Sequence, residues 1–325
     1  MAKWWWSEFF TDDRAHGSTG GKDADLGMPP AIALDLDELI AMRSRHPILG
    51  HHRRIDGFRF GDLVSRRRGI GLELDNIGPY QWGDDIRHMD WFATARTGRA
   101  QVKRFRHDVQ RTVIIALDLR PQMIFGSSRH PMIKTACLAA AKIAWSTSND
   151  HQPLGLLLMG NDQSILVSPR RGRRARLQHL ARIVEAYQDA IGVISSPPQD
   201  LATSLEPLTQ AMAGDVEAVI VSDFSGLGQE KDFDRRLREI GARGSMSAVL
   251  IEDPLMREAP PSGSYPLRQT DDQELTTVAI QAGDENVYRD HADQYRRELM
   301  ARLLGLGVRQ VLISDPVSIE QGYFR

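Results

Sequence analysis

Thr112 to Leu119 reads TVIIALDL, an apolar and largely β-branched run in which Asp118 is the only ionisable residue. A run without alternating polar positions is typical of a strand that is buried on both faces of a parallel sheet. Leu154 to Met159 and Ala218 to Val221 have the same character further along the chain. We therefore predict that these strands belong to one buried, mostly parallel sheet.

Helical periodicity separates these strands. Apolar residues from Ile133 to Ala144 recur every three or four positions, which predicts a helix over 131–149 with one apolar stripe. The other predicted elements are helices at 177–187, 200–212, 233–242 and 285–304, strands at 165–167, 247–251 and 308–313, and a hairpin between 254 and 284. The last helix is expected to bury Tyr288, Ala292, Tyr295, Leu299 and Leu303. Alternating strands and helices predict an α/β fold with a doubly wound sheet.

The chain divides into three regions by composition. Residues 11–30 are rich in Gly, Asp and Ser and end in Pro29-Pro30, so we predict that residues 1–34 form a disordered tail. A short helix is expected from Leu36 to about Arg45, capped by Asp35 or Asp37. Residues 35–110 otherwise have an irregular pattern of short strands and are expected to pack on the sheet domain, which covers 111–325.

The amino-terminal residues carry an aromatic cluster of Trp4, Trp5, Trp6, Phe9 and Phe10. The cluster is too short for the core of a signal peptide, so it reads as a tail or as an anchor for a partner or a membrane surface. The chain has no apolar run close to the roughly 20 residues of a transmembrane helix. Its single cysteine, Cys137, fits a reducing compartment, and we expect a cytoplasmic protein.

The charge distribution argues against nucleic acid as the partner. The formal net charge is −2, although residues 43–111 hold 15 Lys and Arg against 8 Asp and Glu and could face an acidic partner. Two basic runs, Arg66-Arg67-Arg68 and Arg170 to Arg174, have no aromatic residues between them. They are best interpreted as solvated loop charge.

Two carboxylates end predicted core strands. Asp118 closes the first strand, and Asp223 follows Ser222 at the end of the fourth. The carboxyl ends of parallel strands share one edge of a sheet, where α/β proteins bind their ligands. We expect Asp118 and Asp223 to converge there, unless Asp118 serves only as a salt-bridge partner or loop cap.

Recognisable catalytic patterns are missing from the sequence. It contains no GxxxxGK[ST], HExxH, GxSxG or CxxC motif. His51 and His52 are adjacent and make a poor metal pair, while Cys137 lies on the apolar stripe of a helix. A hydrolase that uses the strand-end crevice stays an alternative, but no nucleophile with an activating base can be assembled for it.

The most distinctive stretch is Tyr80 to Asp108, YQWGDDIRHMDWFATARTGRAQVKRFRHD. Its interleaved acids, arginines and tryptophans predict a buried or half-buried ion-pair lattice that clamps the segment onto the sheet domain. Breaking such a buried pair costs about 3–5 kcal/mol. On that interpretation, Asp90→Ala and Arg96→Ala both reduce thermal stability markedly.

This stretch resembles the signature of the domain of unknown function 58 family, GDDxRxIDWxxxARTG followed by VKxFxxE. The matching residues are Gly83, Asp84, Asp85, Arg87, Asp90, Trp91, Ala95, Arg96, Thr97, Gly98, Val102, Lys103 and Phe105. Met89 and Asp108 depart from it mildly, and the resemblance extends over about residues 35–315. It implies a von Willebrand factor A-like domain and a MoxR-type AAA+ ATPase, or its client, as the protein partner.

The resemblance also implies an Asp-x-Ser-x-Ser loop that binds Mg²⁺ through hard oxygen ligands. Here the loop reads Asp118-Leu119-Arg120-Pro121-Gln122, so both serine positions are lost and one is an arginine. We therefore expect no metal and no cofactor, and a degenerate binding face. The residues of that face are Asp118, Arg120, Gln122, Ser222 and Asp223.

Three functions follow from these observations. The first is a non-enzymatic adaptor or co-chaperone that binds an AAA+ ATPase. The second is a Mg²⁺-dependent binder of the von Willebrand A type, in which Asp118 and Asp223 still hold the ion. The third is the strand-end hydrolase.

Overall fold

The computed structural model describes residues 32–43, 73–82, 84–106, 112–128, 130–147, 152–192, 200–225, 231–268, 275–281 and 283–320. The predicted tail, apart from residues 32–34, and His51, His52, Gly83 and the Arg66–Arg68 run lie outside these ranges. The chain forms two compact units. The first comprises residues 1–61 and 112–325, and the second comprises residues 62–111.

A six-stranded sheet is the centre of the first unit. Its strands are β3 (Thr112–Asp118), β4 (Leu154–Met159), β5 (Ser164–Arg170), β6 (Val216–Ser222), β7 (Ser245–Ile251) and β10 (Val308–Ser314). Their order is β10-β7-β6-β3-β4-β5, and every neighbouring pair is parallel except β4 with β5. The prediction of a mostly parallel sheet is confirmed.

Helices cover both faces of this sheet. They are α1 (Leu36–Ala41), α3 (Met132–Ser146), α4 (Arg173–Gly192), α5 (Leu201–Ser204), α6 (Glu206–Ala211), α7 (Lys231–Arg243), α8 (Glu285–Gly305) and α9 (Pro316–Glu320). Short 3-10 helices lie at Pro121–Ile124 and Pro254–Met256. The fold is therefore doubly wound, as predicted.

The side chains of β3 explain the two-sided core. Val113, Ile115 and Leu117 enter a cluster with residues of α1, α3 and α4. Ile114 and Ala116 enter a second cluster with residues of α5, α7 and α8. Because successive residues of a strand point to opposite faces, an uninterrupted apolar run feeds both cores.

Several elements differ from their predicted form. β5 is longer than the predicted 165–167 and runs antiparallel to β4 at one edge of the sheet. The helix expected over 200–212 is two short helices, because Pro207 at the start of α6 lacks the N–H that a continuous helix would need. Tyr295 of α8 is 56% exposed, so only the carboxyl-terminal part of the predicted stripe, Leu299 and Leu303, is buried.

The predicted amino-terminal helix packs on the first unit. Asp35 caps it by accepting a hydrogen bond from the Glu38 amide at 2.7 Å, and Leu39 is fully buried. Just before it, the Ala33 carbonyl accepts a hydrogen bond from Lys134 Nζ at 2.6 Å, and Leu34 is 5% exposed. Ala33 and Leu34 are therefore packed residues rather than part of the tail.

The antiparallel hairpin predicted between 254 and 284 is present as β8 (Gly263–Arg268) and β9 (Leu275–Ile280). The second unit contains another antiparallel hairpin, formed by β1 (Glu73–Pro79) and β2 (Gln101–Arg106). Between those strands lie a 3-10 helix, Ile86–His88, and a helix α2, Trp91–Thr97, which was not predicted.

The strand order reverses near the centre of the sheet. From β3 the chain adds β4 and β5 on one side, then returns to add β6, β7 and β10 on the other. β3 and β6 therefore flank the point where the strand order reverses, which is where open α/β sheets form a ligand crevice. Leu117 pairs with Val221, so Asp118 and Ser222 are neighbours at that crevice.

Candidate functional site at the strand ends

Asp118 is the centre of the strand-end face and is completely buried. Its Oδ1 accepts hydrogen bonds from the Arg120 backbone N at 3.1 Å and from Arg120 Nε at 2.9 Å. Its Oδ2 accepts from Arg120 Nη2 at 2.8 Å. The guanidinium therefore meets the carboxylate with two parallel hydrogen bonds, the strongest geometry for this pair.

Ser222 brings a third donor to the same carboxylate from the neighbouring strand. Its hydroxyl donates to Asp118 Oδ2 at 2.7 Å, and its oxygen accepts from the Phe224 backbone N at 3.0 Å. The hydroxyl proton and one lone pair are both in use. Ser222 thus joins the end of β6 to the end of β3 through a fully buried hydrogen bond.

Gln122 completes the surroundings of the guanidinium. With its amide oxygen turned toward Arg120, it accepts from Nε at 3.1 Å, Nη1 at 2.9 Å and Nη2 at 2.8 Å. Arg120 is 1% exposed, so its charge is neutralised by Asp118 and solvated by Gln122 rather than by water. A buried charge needs this degree of pairing, since removing it from water is otherwise very costly.

The donor chemistry of this face does not fit a magnesium ion. Mg²⁺ requires near-octahedral oxygen ligands. Both oxygens of Asp118 already accept from Arg120, and Ser222 directs its proton to the same carboxylate. The Arg120 guanidinium supplies the positive charge that a metal would supply. Within the described residues, no group of three or more His, Cys, Asp and Glu is placed to hold a metal ion.

Asp223 lies beside the Asp118–Arg120 pair but forms different hydrogen bonds. It is 4% exposed, and Oδ1 accepts from the Ser225 backbone N at 3.0 Å. Its Oδ2 is buried and has no hydrogen-bond partner in the described part of the chain. Burial, followed by the neighbouring charge of Asp118, raises the pKa of Asp223 above its ordinary value.

Phe224 has an unusual backbone where β6 ends. Its φ is 53°, in the left-handed region that non-glycine residues rarely adopt, and its side chain is fully buried. This conformation directs its N–H back to Ser222. Strained residues of this kind are concentrated at functional sites, which singles out the β6 end within the sheet.

Two further strand-end carboxylates were not singled out from the sequence. Asp253 follows β7 and accepts from the Ser127 backbone N at 2.8 Å, the Ser127 hydroxyl and the Leu255 backbone N at 3.0 Å. Asp315 follows β10 and pairs with Arg257 at 3.3 Å. Each of these carboxylates lies within two residues of the end of a strand, which is the kind of position that identified Asp118 and Asp223.

In the second unit, Asp90 is the structural centre of the signature segment. It caps α2 by accepting from the Ala93 backbone N at 2.9 Å and is 9% exposed. Lys103 Nζ on β2 lies 3.8 Å from its other oxygen. Gly98 ends the helix with a left-handed φ of 67°. The signature thus encodes a capped helix packed on a hairpin, with Asp84 and Asp85 also accepting local backbone hydrogen bonds.

Several aromatic side chains of the Tyr80–Asp108 segment are on the surface. Trp82 is 99% exposed, Trp91 69% and Phe92 92%. Arg87 and Arg96 are exposed and form no ion pair with a carboxylate of the described residues. Among the described residues of this segment, Asp90 and Lys103 form an ion pair, whereas the exposed Arg87 and Arg96 do not form the buried lattice that we expected.

The sequence comparisons bear on this segment directly. The family described as "Protein of unknown function DUF58" matches residues 76–300. The chain belongs to this family. The matched range begins in β1 and ends inside α8. It is shorter than the range of residues 35–315 that we expected from the resemblance to DUF58.

The curated DUF58-like relatives have no described activity. "Uncharacterized protein Rv1480" of Mycobacterium tuberculosis (strain ATCC 25618 / H37Rv) is 28% identical over 280 residues, which is 86% of each chain. Among solved structures, the conserved hypothetical protein BatB from Bacteroides thetaiotaomicron is 13% identical, with a TM-score of 0.39 over 65% of this chain and 93% of that one.

A von Willebrand factor type A chain from Catenulispora acidiphila is 16% identical, with a TM-score of 0.28 over 43% of this chain and 32% of that one. Among the described residues, none of the helices is long and apolar enough to cross a membrane.

Proposed function

We propose that this DUF58 protein is a non-enzymatic, cytoplasmic protein-interaction module that acts as an adaptor or co-chaperone of a MoxR-type AAA+ ATPase. The observation that carries the proposal is the Arg120 guanidinium, which occupies both oxygens of Asp118 at the crevice. A crevice whose central carboxylate is saturated internally has no ligand position to offer a catalytic metal. It acts instead as a rigid, preformed surface.

The bonding and burial of two candidate nucleophiles, Ser222 and Cys137, support a non-enzymatic role. Ser222 donates its proton to Asp118, whose two oxygens also accept hydrogen bonds from Arg120. Cys137 is fully buried, and burial raises the pKa of its thiol far above the usual range. A buried thiol of this kind is inert, because the thiolate is the reactive form.

The exposed aromatic residues of the second unit are the proposed partner surface. Trp82, Ile86, Trp91 and Phe92 are between 65% and 99% exposed, and Phe92 shares one face of α2 with Arg96, four residues later. Interface hot spots are enriched in Trp, Tyr and Arg, and large exposed apolar residues mark interaction sites. This composition supports docking of a protein partner.

The test is direct binding between the purified full chain and a purified MoxR-type AAA+ ATPase from the same genome. We expect saturable binding by calorimetry, with and without nucleotide, that weakens at least about tenfold in the double variant Trp91→Ala/Phe92→Ala. Val287→Ala, at an exposed position of α8 in the first unit, is the matched control and should bind like the parent. An absence of binding, or equal binding by both variants, would reject the proposal.

A further inference from the structure

Strand β5 is an edge of the six-stranded sheet within the described residues. Gly160 N donates to the Gln163 carbonyl at 3.1 Å, so that pair is hydrogen-bonded in the turn between β4 and β5. In an antiparallel ladder, hydrogen-bonded and non-bonded pairs alternate. Ser164 and Leu166 therefore direct their backbone N–H and C=O groups away from β4, toward the open side.

The open edge is short and apolar. Ile165 is 50% exposed and Leu166 38% exposed. The ladder shifts register between Leu154 and Leu156, opposite Pro169, whose ring fills the space beside Gly155. Proline and a register shift are common devices that end strand pairing. They limit the free edge to residues 164–168, long enough for one short added strand.

A dense basic patch follows this edge directly. Arg170, Arg171, Arg173 and Arg174 are all exposed, and none is paired with a carboxylate of the described residues. The contrast with α7 is clear, because Arg235 there is bonded to both Asp232 and Glu239. The last two arginines of the patch also lie in the first turn of α4, whose positive dipole end adds to the attraction for anions.

We propose that residues 164–174 dock an extended acidic segment of a partner protein, which adds to β5 as a strand and places its carboxylates on the four arginines. Backbone hydrogen bonds along a sheet edge provide affinity in this mode, and side chains at the strand's end provide selectivity. This surface lies in the first unit and uses none of the residues of the strand-end face or of the aromatic surface of the second unit. Its use does not depend on an ATPase partner.

Nucleic acid is the competing anion and fits this surface less well. Single-stranded nucleic acids bind by stacking bases on aromatic side chains along a basic groove. Residues 160–176 contain no aromatic residue, and the open N–H and C=O groups match a peptide backbone. Ile165 and Leu166 add apolar contacts that a polypeptide strand can use.

The experiment measures fluorescence anisotropy of labelled probes with the purified full chain at low salt. One probe carries four glutamates before an alternating Thr/Val strand, and a second carries them after it, since the added strand could run in either direction. A third replaces the Thr/Val strand with Gly and Ser, and a fourth is N-methylated at alternate strand residues. A thymidine oligonucleotide of similar charge is the fifth.

We expect one Thr/Val probe to bind at least about tenfold more tightly than the Gly/Ser and N-methylated probes. Arg173→Glu/Arg174→Glu should weaken that binding at least about tenfold. Arg289→Glu/Arg297→Glu makes the same charge change at exposed positions of α8 and should leave it unchanged. Equal binding of the Gly/Ser probe, preference for the oligonucleotide, or equal loss in both double variants would overturn the proposal.

Discussion

The crevice of the first unit and the surface of the second use the same residue types in opposite ways. At the crevice, Asp118 and Arg120 are buried and saturate one another. In the signature segment, Arg87 and Arg96 are exposed beside Trp91 and Phe92. The strong electrostatic interaction is therefore formed in the short loop at Asp118 and Arg120, which has no conspicuous sequence motif. Most described side chains of the conspicuous Tyr80–Asp108 motif are exposed or half-buried, whereas Asp90 and Val102 are buried.

The largest loss of stability that this comparison predicts is for the substitution of Arg120. Arg120→Met keeps most of the side-chain volume but leaves Asp118 buried without its cation, which should cost about 3–5 kcal/mol of unfolding free energy. Urea unfolding of the full chain measures this loss of unfolding free energy. Arg235→Met breaks an exposed pair on α7 and should leave the unfolding free energy nearly unchanged, since exposed pairs contribute little to stability. Similar losses in the two variants would contradict the contrast between a buried and an exposed pair.

A smaller loss is expected at Asp90. Asp90→Ala removes the cap of α2, which typically costs about 0.5–2 kcal/mol, and should accelerate hydrogen exchange in 91–97. This is less than the marked loss predicted from the sequence alone. Arg96→Ala is the control and should stay within about 0.5 kcal/mol of the parent, since its side chain is exposed. Equal protection of α2 in Asp90→Ala and the parent would show that the cap is dispensable.

The smallest effect concerns Asp223 and depends on pH. Burial raises the pKa of Asp223 in the folded chain, so the folded state binds this proton more tightly than the unfolded state. Its contribution is full below the unfolded pKa of about 3.9 and is lost as pH rises through the folded pKa. Asp223→Asn removes that loss, so its stability relative to the parent should increase across this window and then level off.

Urea unfolding of both proteins at a series of pH values from about 4 to about 8 tests this expectation. Glu252, whose pKa is also raised by burial, is present in both proteins and cancels in the difference. A difference that stays constant over the whole series would mean that Asp223 titrates alike in the folded and unfolded chains.

Much of the fold could be predicted from the sequence because the central strands are buried on both faces. Leu154–Met159 was predicted at its observed bounds, since a fully apolar run has clear ends. Helix α2 was missed because a seven-residue helix has little periodicity and depends on its caps, Asp90 and Gly98. Propensity is a weak guide when local capping decides the structure.

The candidate site could be predicted from the sequence only in part. The sequence placed Arg120 near Asp118, because only Leu119 separates them after a strand. It placed Ser222 on the same face as Asp118, but it could not give the hydrogen bond between them, because that bond depends on which strands are neighbours in the sheet. The exposure of Trp82 and Phe92 was equally unpredictable, since aromatic residues are more often packed than displayed.

The most direct test of the central claim is calorimetric titration of Mg²⁺ and Mn²⁺ into the purified full chain. With Arg120 supplying the positive charge at Asp118, we predict no saturable binding at millimolar concentrations of either ion, and the same result for Asp118→Ala. Saturable one-to-one binding by the parent that disappears in Asp118→Ala would contradict the account. The crevice would then be a metal-dependent ligand site.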